Sequence, residues 1–251
     1  MKKQLHLKID ISMMTLLVWW CLAMLRAERW VFFCYGIMVL HEFAHVMAAV
    51  ILHCPVEKIV IYPFGLCAEI KMTERLSFSR RLFLYGAGAC AHLVVFGVLY
   101  LLRSYHKISV LMFEYMIQMN MNYLLFNLLP VYPLDGYQIL LSFLYLVLPY
   151  RYSLYISELI SILMVYLFLA ISPQTAVILM SGLILLGINV LRCLKLKQEM
   201  HCFYLKRYLF PVEAPCKIHQ IEDCFVYCRN IIAKENEIVS EKTLLKKILK
   251  L

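Results

Sequence analysis

Six stretches of mostly apolar residues, at about 11–25, 31–53, 82–102, 110–148, 154–171 and 175–191, divide this 251-residue chain. A helix of about 20 residues matches a hydrocarbon core of about 30 Å. The pattern therefore favours membrane crossings over a soluble core. Apolar residues make up 63% of the chain and charged residues 16%, against about half and about a quarter in ordinary soluble domains. The expected fold class is an all-α polytopic membrane protein with about six transmembrane helices, a short strand or re-entrant segment near residues 56–70, and a small cytosolic tail. The first stretch is short, and a signal peptide is the competing reading. Arg26, Glu28 and Arg29 follow it where a cleavage site would need small residues, so it reads as a retained anchor.

Lysine and arginine near span ends set orientation. With six spans, the basic N-terminus, the loop from Lys58 to Arg81, Arg151 and the basic tail share one side, while Arg26, Arg29, Arg103 and Lys107 face the other. Both termini are expected in the cytoplasm. The net charge of +9 then reads as a bias toward the anionic inner leaflet of the lipid bilayer. Its dispersal over several loops argues against a nucleic-acid partner. The organisation expected is a membrane domain over 1–191 and a short cytosolic C-terminal tail over 192–251. None of the ten cysteines forms a Cys-x-x-Cys pair, so most read as small hydrophobes. Cys216, Cys224 and Cys228, with His219, match no common zinc spacing.

Residues 5–12 alternate apolar and polar side chains, the pattern of a strand or an interfacial segment. From Val56 to Ile70 the chain is β-branched and broken by Pro63 and Gly65, which predicts a strand pair or a re-entrant loop. Pro130, Pro133 and Gly136 interrupt the fourth stretch. Prolines free backbone carbonyls that lipid cannot satisfy, so unwinding there requires surrounding protein or a water-filled cavity. The tail shows two amphipathic stretches, near 224–232 and 241–251.

His41-Glu42-Phe43-Ala44-His45 sits in the middle of an apolar run long enough to be helical throughout. At i and i+4 the imidazoles share a face and can bind one Zn²⁺, with Glu42 beside them to take a proton from water. Placing such residues in a span costs about 2.5 kcal/mol or more for the carboxylate alone, so intramembrane ionisable groups read as functional. The plainer reading is hydrogen bonding across helices.

A catalytic zinc takes three protein ligands, and Asp135, directly after the two prolines, is the candidate for the third. Asp135 also suits a helix N-cap, and both roles can hold together. Glu114, near the far end of the fourth stretch, and Glu158, early in the fifth without a helix breaker, are rivals placed behind it. Asn127, shortly before Pro130, suits either an oxyanion donor or a partner for carbonyls freed by the prolines. His53 and His92 read as polar residues packed inside the bundle, and the other histidines as peripheral.

These motifs resemble the site-2 protease family of intramembrane metalloproteases, which pairs HExxH on one span with a later NxxPxxxLDG-type motif. Here these are His41 to His45 and Asn127-Leu-Leu-Pro130-Val-Tyr-Pro133-Leu-Asp135-Gly136. The likeness runs from about Leu5 to the end of the sixth stretch, includes Pro63-Phe64-Gly65 and Ala87-Gly88, and is nearest to the six-span sporulation branch.

The resemblance implies a zinc metalloendopeptidase, with Zn²⁺ on His41, His45 and Asp135 and Glu42 as the catalytic base. Asn127, Pro130, Phe64 and Gly65 are candidates for holding substrate or oxyanion. It further implies a membrane-associated sigma-factor precursor as substrate, inhibitory membrane proteins as partners, and a mother-cell membrane around the forespore as the location. A general protease of anti-sigma factors or signal-peptide remnants is the alternative, and a non-catalytic membrane partner the third reading. Asp10 and Ser12 stand where the family often has histidines, Ala89 stands where proline is usual, and the tail is too short for a paired nucleotide-sensing domain.

Overall fold

The computed structural model describes residues 8–11, 28–62, 65–70, 73, 76–171, 176–211, 215–219, 223–234 and 237–249. Most of the first expected span, and with it Pro63 and Phe64, lies outside the described residues. The chain forms two compact units, one of residues 1–73 and 79–128, the other of 74–78 and 129–251.

The first unit holds β1 (Lys8–Ile11), α1 (Glu28–Ile51), β2 (Val56–Tyr62), β3 (Gly65–Ile70), α2 (Phe78–Ser104) and α3 (Val110–Asn127). The β-branched segment is the expected strand pair. β2 and β3 run antiparallel with Tyr62 opposite Gly65, and β1 joins parallel to β2 with Ile9 opposite Ile59. Sequence alternation had marked β1 as strand or interfacial segment, and backbone pairing makes it a strand.

Packing sorts the helix faces. On α1 the inward positions include Ile37, Met38, His45, Ala48 and Ala49, while Val39, Leu40, Phe43, Met47 and Val50 point outward. On α2, Arg81, Leu84, Gly88, His92, Val95 and Leu99 form a stripe at intervals of three and four residues, the spacing of one helical face. Large apolar side chains on the outer faces are what lipid requires. Ile37, Val95 and Leu99 make a small core, with Phe33, Phe113 and Ile117 packed against it.

His53 departs from expectation. It is exposed and left-handed at φ 56, where it ends α1, with the Cys54 amide returning to the Ala49 carbonyl at 2.8 Å. This is the closing motif that satisfies the last helical carbonyls. At the other end of the loop after α2, Ser109 caps α3 by accepting from the Met112 amide.

The second unit holds α4 (Asp135–Val147), α5 (Tyr150–Ile171), α6 (Ala176–Leu209), β4 (Cys216–His219), β5 (Arg229–Lys234), β6 (Glu237–Ser240) and α7 (Glu241–Leu249). The long fourth stretch is thus two helices, α3 and α4, parted by the proline segment. Among the described residues three helices are long and apolar enough to cross a membrane: Phe33–Ile51, Phe78–Ser104 and Tyr150–Ile171. Of the six spans expected, these three are shown among the described residues. α4, at 13 residues, extends only about 20 Å, and α3 carries Glu114, Gln118, Asn120 and Asn122.

The tail is folded among its described residues. α6 runs on to Leu209, and β4, β5 and β6 form a second three-stranded sheet, β4 parallel and β6 antiparallel to β5. The stretch at 224–232, expected to be amphipathic, is a turn followed by β5, in which Asn230 and Ile232 alternate inward. A shared core links Tyr137, Leu141 and Tyr145 of α4 to Leu154 of α5, Phe203 of α6 and Leu244 and Leu245 of α7. Arg207 ties it together by donating to the Val226 and Cys228 carbonyls and pairing with Glu241, whose other oxygen takes the Asn230 amide at 2.7 Å.

Removing one member of such a buried pair strands the other charge, at a cost of about 3–5 kcal/mol. Arg207→Met is therefore expected to loosen the tail. Limited proteolysis should cut between 210 and 240 at protease concentrations that leave the native chain intact there, while the helices stay protected.

Candidate metal centre

In the first unit α1 sets His41 and His45 one turn apart, with their Nε2 atoms 3.2 Å apart and their ring planes at 78°. The His45 Nδ1 donates to the Leu84 carbonyl at 2.8 Å. The other nitrogen of the neutral ring, Nε2, is thereby left with its lone pair. Nitrogens that each lie about 2.0–2.1 Å from a tetrahedral zinc stand about 3.3 Å apart, so this spacing suits one ion.

The imidazole pair fits because α2 presents a glycine, Gly88, at that level. A Cβ on Gly88 would come within 2.5 Å of His45 Nε2 and 2.7 Å of His41 Nδ1. One turn further, His92 places Nε2 3.2 Å from His41 Nδ1. Its own Nδ1 lies 2.8 Å from Asn120 Oδ1, and Asn120 Nδ2 donates to the His92 carbonyl at 3.1 Å. His92 is packed inside as expected, but against His41 in particular. Glu42 is half-buried and its Oε1 accepts the backbone N–H of Ala68 in β3, which fixes the carboxylate's direction.

In the second unit Asp135 is half-buried and opens α4. It is not the N-cap: Leu134 holds that position without a side-chain bond, and Asp135 belongs to the first turn, where the helix dipole favours a carboxylate. The preceding segment answers the question of where backbone groups around the prolines find partners. The Tyr132 amide donates to Ser161 Oγ at 2.9 Å, and its carbonyl accepts from Asn189 Nδ2 at 3.1 Å.

Arg192 covers the same residue, with its guanidinium carbon 3.9 Å from the Tyr132 ring centre and 4.6 Å from that of Tyr137. Glu158 lies 3.6 Å from Arg192 Nε and accepts from the Tyr137 hydroxyl at 3.4 Å. It is thus an ion-pair partner rather than a rival ligand. Glu114 is exposed.

In the first unit His41 and His45 set two imidazole nitrogens 3.2 Å apart, and in the second Asp135 offers a half-buried carboxylate. Two imidazoles and a carboxylate are a donor set that zinc accepts.

The other candidates fall elsewhere. Asn127 ends α3 and, like Pro130, is half-buried; Gly65 opens β3; Phe64 lies outside the described residues. The tail cysteines make no second centre. Burial pushes the Cys224 thiol up to about 12 and raises Cys228 as well, which disfavours the thiolate a metal needs, and His219 Nε2 faces Asn230 Oδ1 at 3.0 Å.

Sequence reasoning missed the roles of Gly88 and Asn120 and the grip of Arg192 on Tyr132. The available signal was polar residues on the inner faces of apolar helices, which require named partners.

No protein-family model matches the chain, and no curated protein matches its sequence. Its fold is similar to that of the site-2 protease from Methanocaldococcus jannaschii, with a TM-score of 0.53, 22% sequence identity, and coverage of 79% of this chain and 93% of that one. At that identity the likeness is one of fold.

Gly88→Ala is expected to weaken zinc binding by about ten- to a hundredfold, read by chelator competition on purified protein. Gly86→Ala and Gly97→Ala, where a Cβ meets nothing within 4 Å, should bind as the native chain does.

Proposed function

We propose that this chain is an intramembrane zinc metalloprotease that hydrolyses a peptide bond near the cytosolic membrane face. The observation that carries the reading is the imidazole pair of His41 and His45 in a fold like that of a site-2 protease, with Asp135 assigned as the third ligand from the two-part sequence motif. His41, His45 and Asp135 would hold the ion. When bound, zinc supplies Lewis acidity that acidifies water and polarises a carbonyl.

Glu42 takes the proton of the attacking water and returns it to the leaving nitrogen, its carboxylate aimed by the Ala68 amide. Asn127 is assigned to the developing oxyanion, and Pro130 of the same sequence motif to holding substrate. Phe64, from the sequence motif, and Gly65, which opens β3, are assigned to the substrate backbone, since an extended peptide can pair with strand edges.

On the same reading six spans place both termini in the cytoplasm, residues 1–191 form the protease and 192–251 its cytosolic appendage. The finer assignment is to the type of stage IV sporulation protein FB. There the substrate is a membrane-associated precursor of a mother-cell sigma factor, the enzyme lies in the membrane around the forespore, and inhibitory membrane proteins hold it in check. The two-part sequence motif supports this assignment.

Glu42→Gln tests the chemistry. Cleavage of a co-expressed sigma precursor should fall by roughly a hundredfold or more while zinc content stays unchanged, and full activity would refute the role. Cleavage of anti-sigma factors or signal-peptide remnants in place of the precursor would move the substrate assignment to the general branch. Bound zinc with no cleavage of any of them would leave a non-catalytic partner.

A further inference from the structure

We infer that Asn120 and His92 set the tautomer and orientation of His41, so that its Nε2 reaches the ion as a lone pair. These are positioning residues, and the inference rests on the zinc reading above.

The chain of constraints begins at a backbone carbonyl. The His92 carbonyl can only accept, so the Asn120 group 3.1 Å from it is the amide nitrogen, and Asn120 Oδ1 is turned toward the ring. Since Oδ1 also only accepts, the His92 Nδ1 at 2.8 Å carries the hydrogen. In the neutral ring His92 Nε2 is then an acceptor, so His41 Nδ1, 3.2 Å away, is the donor. The hydrogen of neutral His41 is thereby fixed on Nδ1, and Nε2 is bare.

His45 reaches the same state by a shorter route, through the Leu84 carbonyl. Both routes thus turn an Nε2 toward the same point, with the two atoms 3.2 Å apart. Each metal-bound histidine in proteins usually donates its second N–H to an acceptor that locks the ring. Here the acceptor is itself a histidine, 1% exposed, backed by an asparagine that is fully buried.

The arrangement follows from helix spacing. His92 lies four residues after Gly88 on the buried stripe of α2, so the helix first clears the rings and then supports one of them.

The test is zinc affinity of the full-length protein in detergent, by chelator competition, with His41→Ala as reference. His92→Leu and Asn120→Leu should bind about ten- to a hundredfold more weakly than native. His92→Gln should recover most of the affinity, because its Oε1 can accept from His41 and its Nε2 can donate to Asn120.

Native affinity in both leucine variants, with binding lost in His41→Ala, overturns the relay and leaves the metal site standing. Failure of the glutamine variant to improve on leucine overturns it too. Zinc binding that His41→Ala does not touch overturns the site itself and this inference with it. Should the leucine variants fail to fold, ¹⁵N shifts of histidine in the metal-free native chain decide. Protonated Nδ1 and bare Nε2 on His41 are expected, and the opposite tautomer refutes the assignment.

Discussion

Four polar side chains, His41, His45, His92 and Asn120, have to find partners inside helices whose outer faces are apolar. Outside water, an unmatched donor or acceptor costs several kcal/mol, so every nitrogen in this group has to be accounted for. The first unit does so by close approach. Gly88 lets α2 run against the imidazole pair, Leu84 offers its carbonyl to one ring, and His92 meets the other. The polar chain ends on the backbone of the helix that carries it, at the His92 carbonyl. The outcome is a pair of imidazole Nε2 atoms 3.2 Å apart.

The second unit solves a different problem with a similar economy. A segment with two prolines opens the backbone just before Asp135, and lipid cannot satisfy what it exposes. Ser161 and Asn189 take both polar groups of Tyr132, while Arg192 lies over its ring and is matched by Glu158. A charge pair of this kind adds little net stability. Its effect is to hold the chain direction at the residue three positions before the Asp135 carboxylate.

Much of this was legible in the residues, for reasons that can be named. HExxH in an apolar run gives the imidazole face because helical spacing is fixed. The β-branched segment broken by Pro63 and Gly65 gives the strand pair, since turn chemistry is local. The prolines before Asp135 mark the break between α3 and α4. What was hidden depends on pairing between distant segments. His92 reads as one more buried polar residue until its neighbour is known, and Gly88 reads as an ordinary small residue until the rings are placed against it. His53 sits at the end of an apolar stretch and looks packed, yet it serves as the left-handed residue that closes α1. The tail misled in another way: the residues 224–232 read as amphipathic, but Asn230 and Ile232 take strand alternation because β4 and β6 pair on either side of β5.

X-ray absorption at the zinc edge of the purified full-length protein tests the central claim most directly. The account predicts nitrogen and oxygen neighbours only, at about 2.0–2.2 Å, with the outer scattering of two imidazoles. A sulfur neighbour at about 2.3 Å, or scattering from a single imidazole, would contradict it and move the metal away from the paired rings of α1.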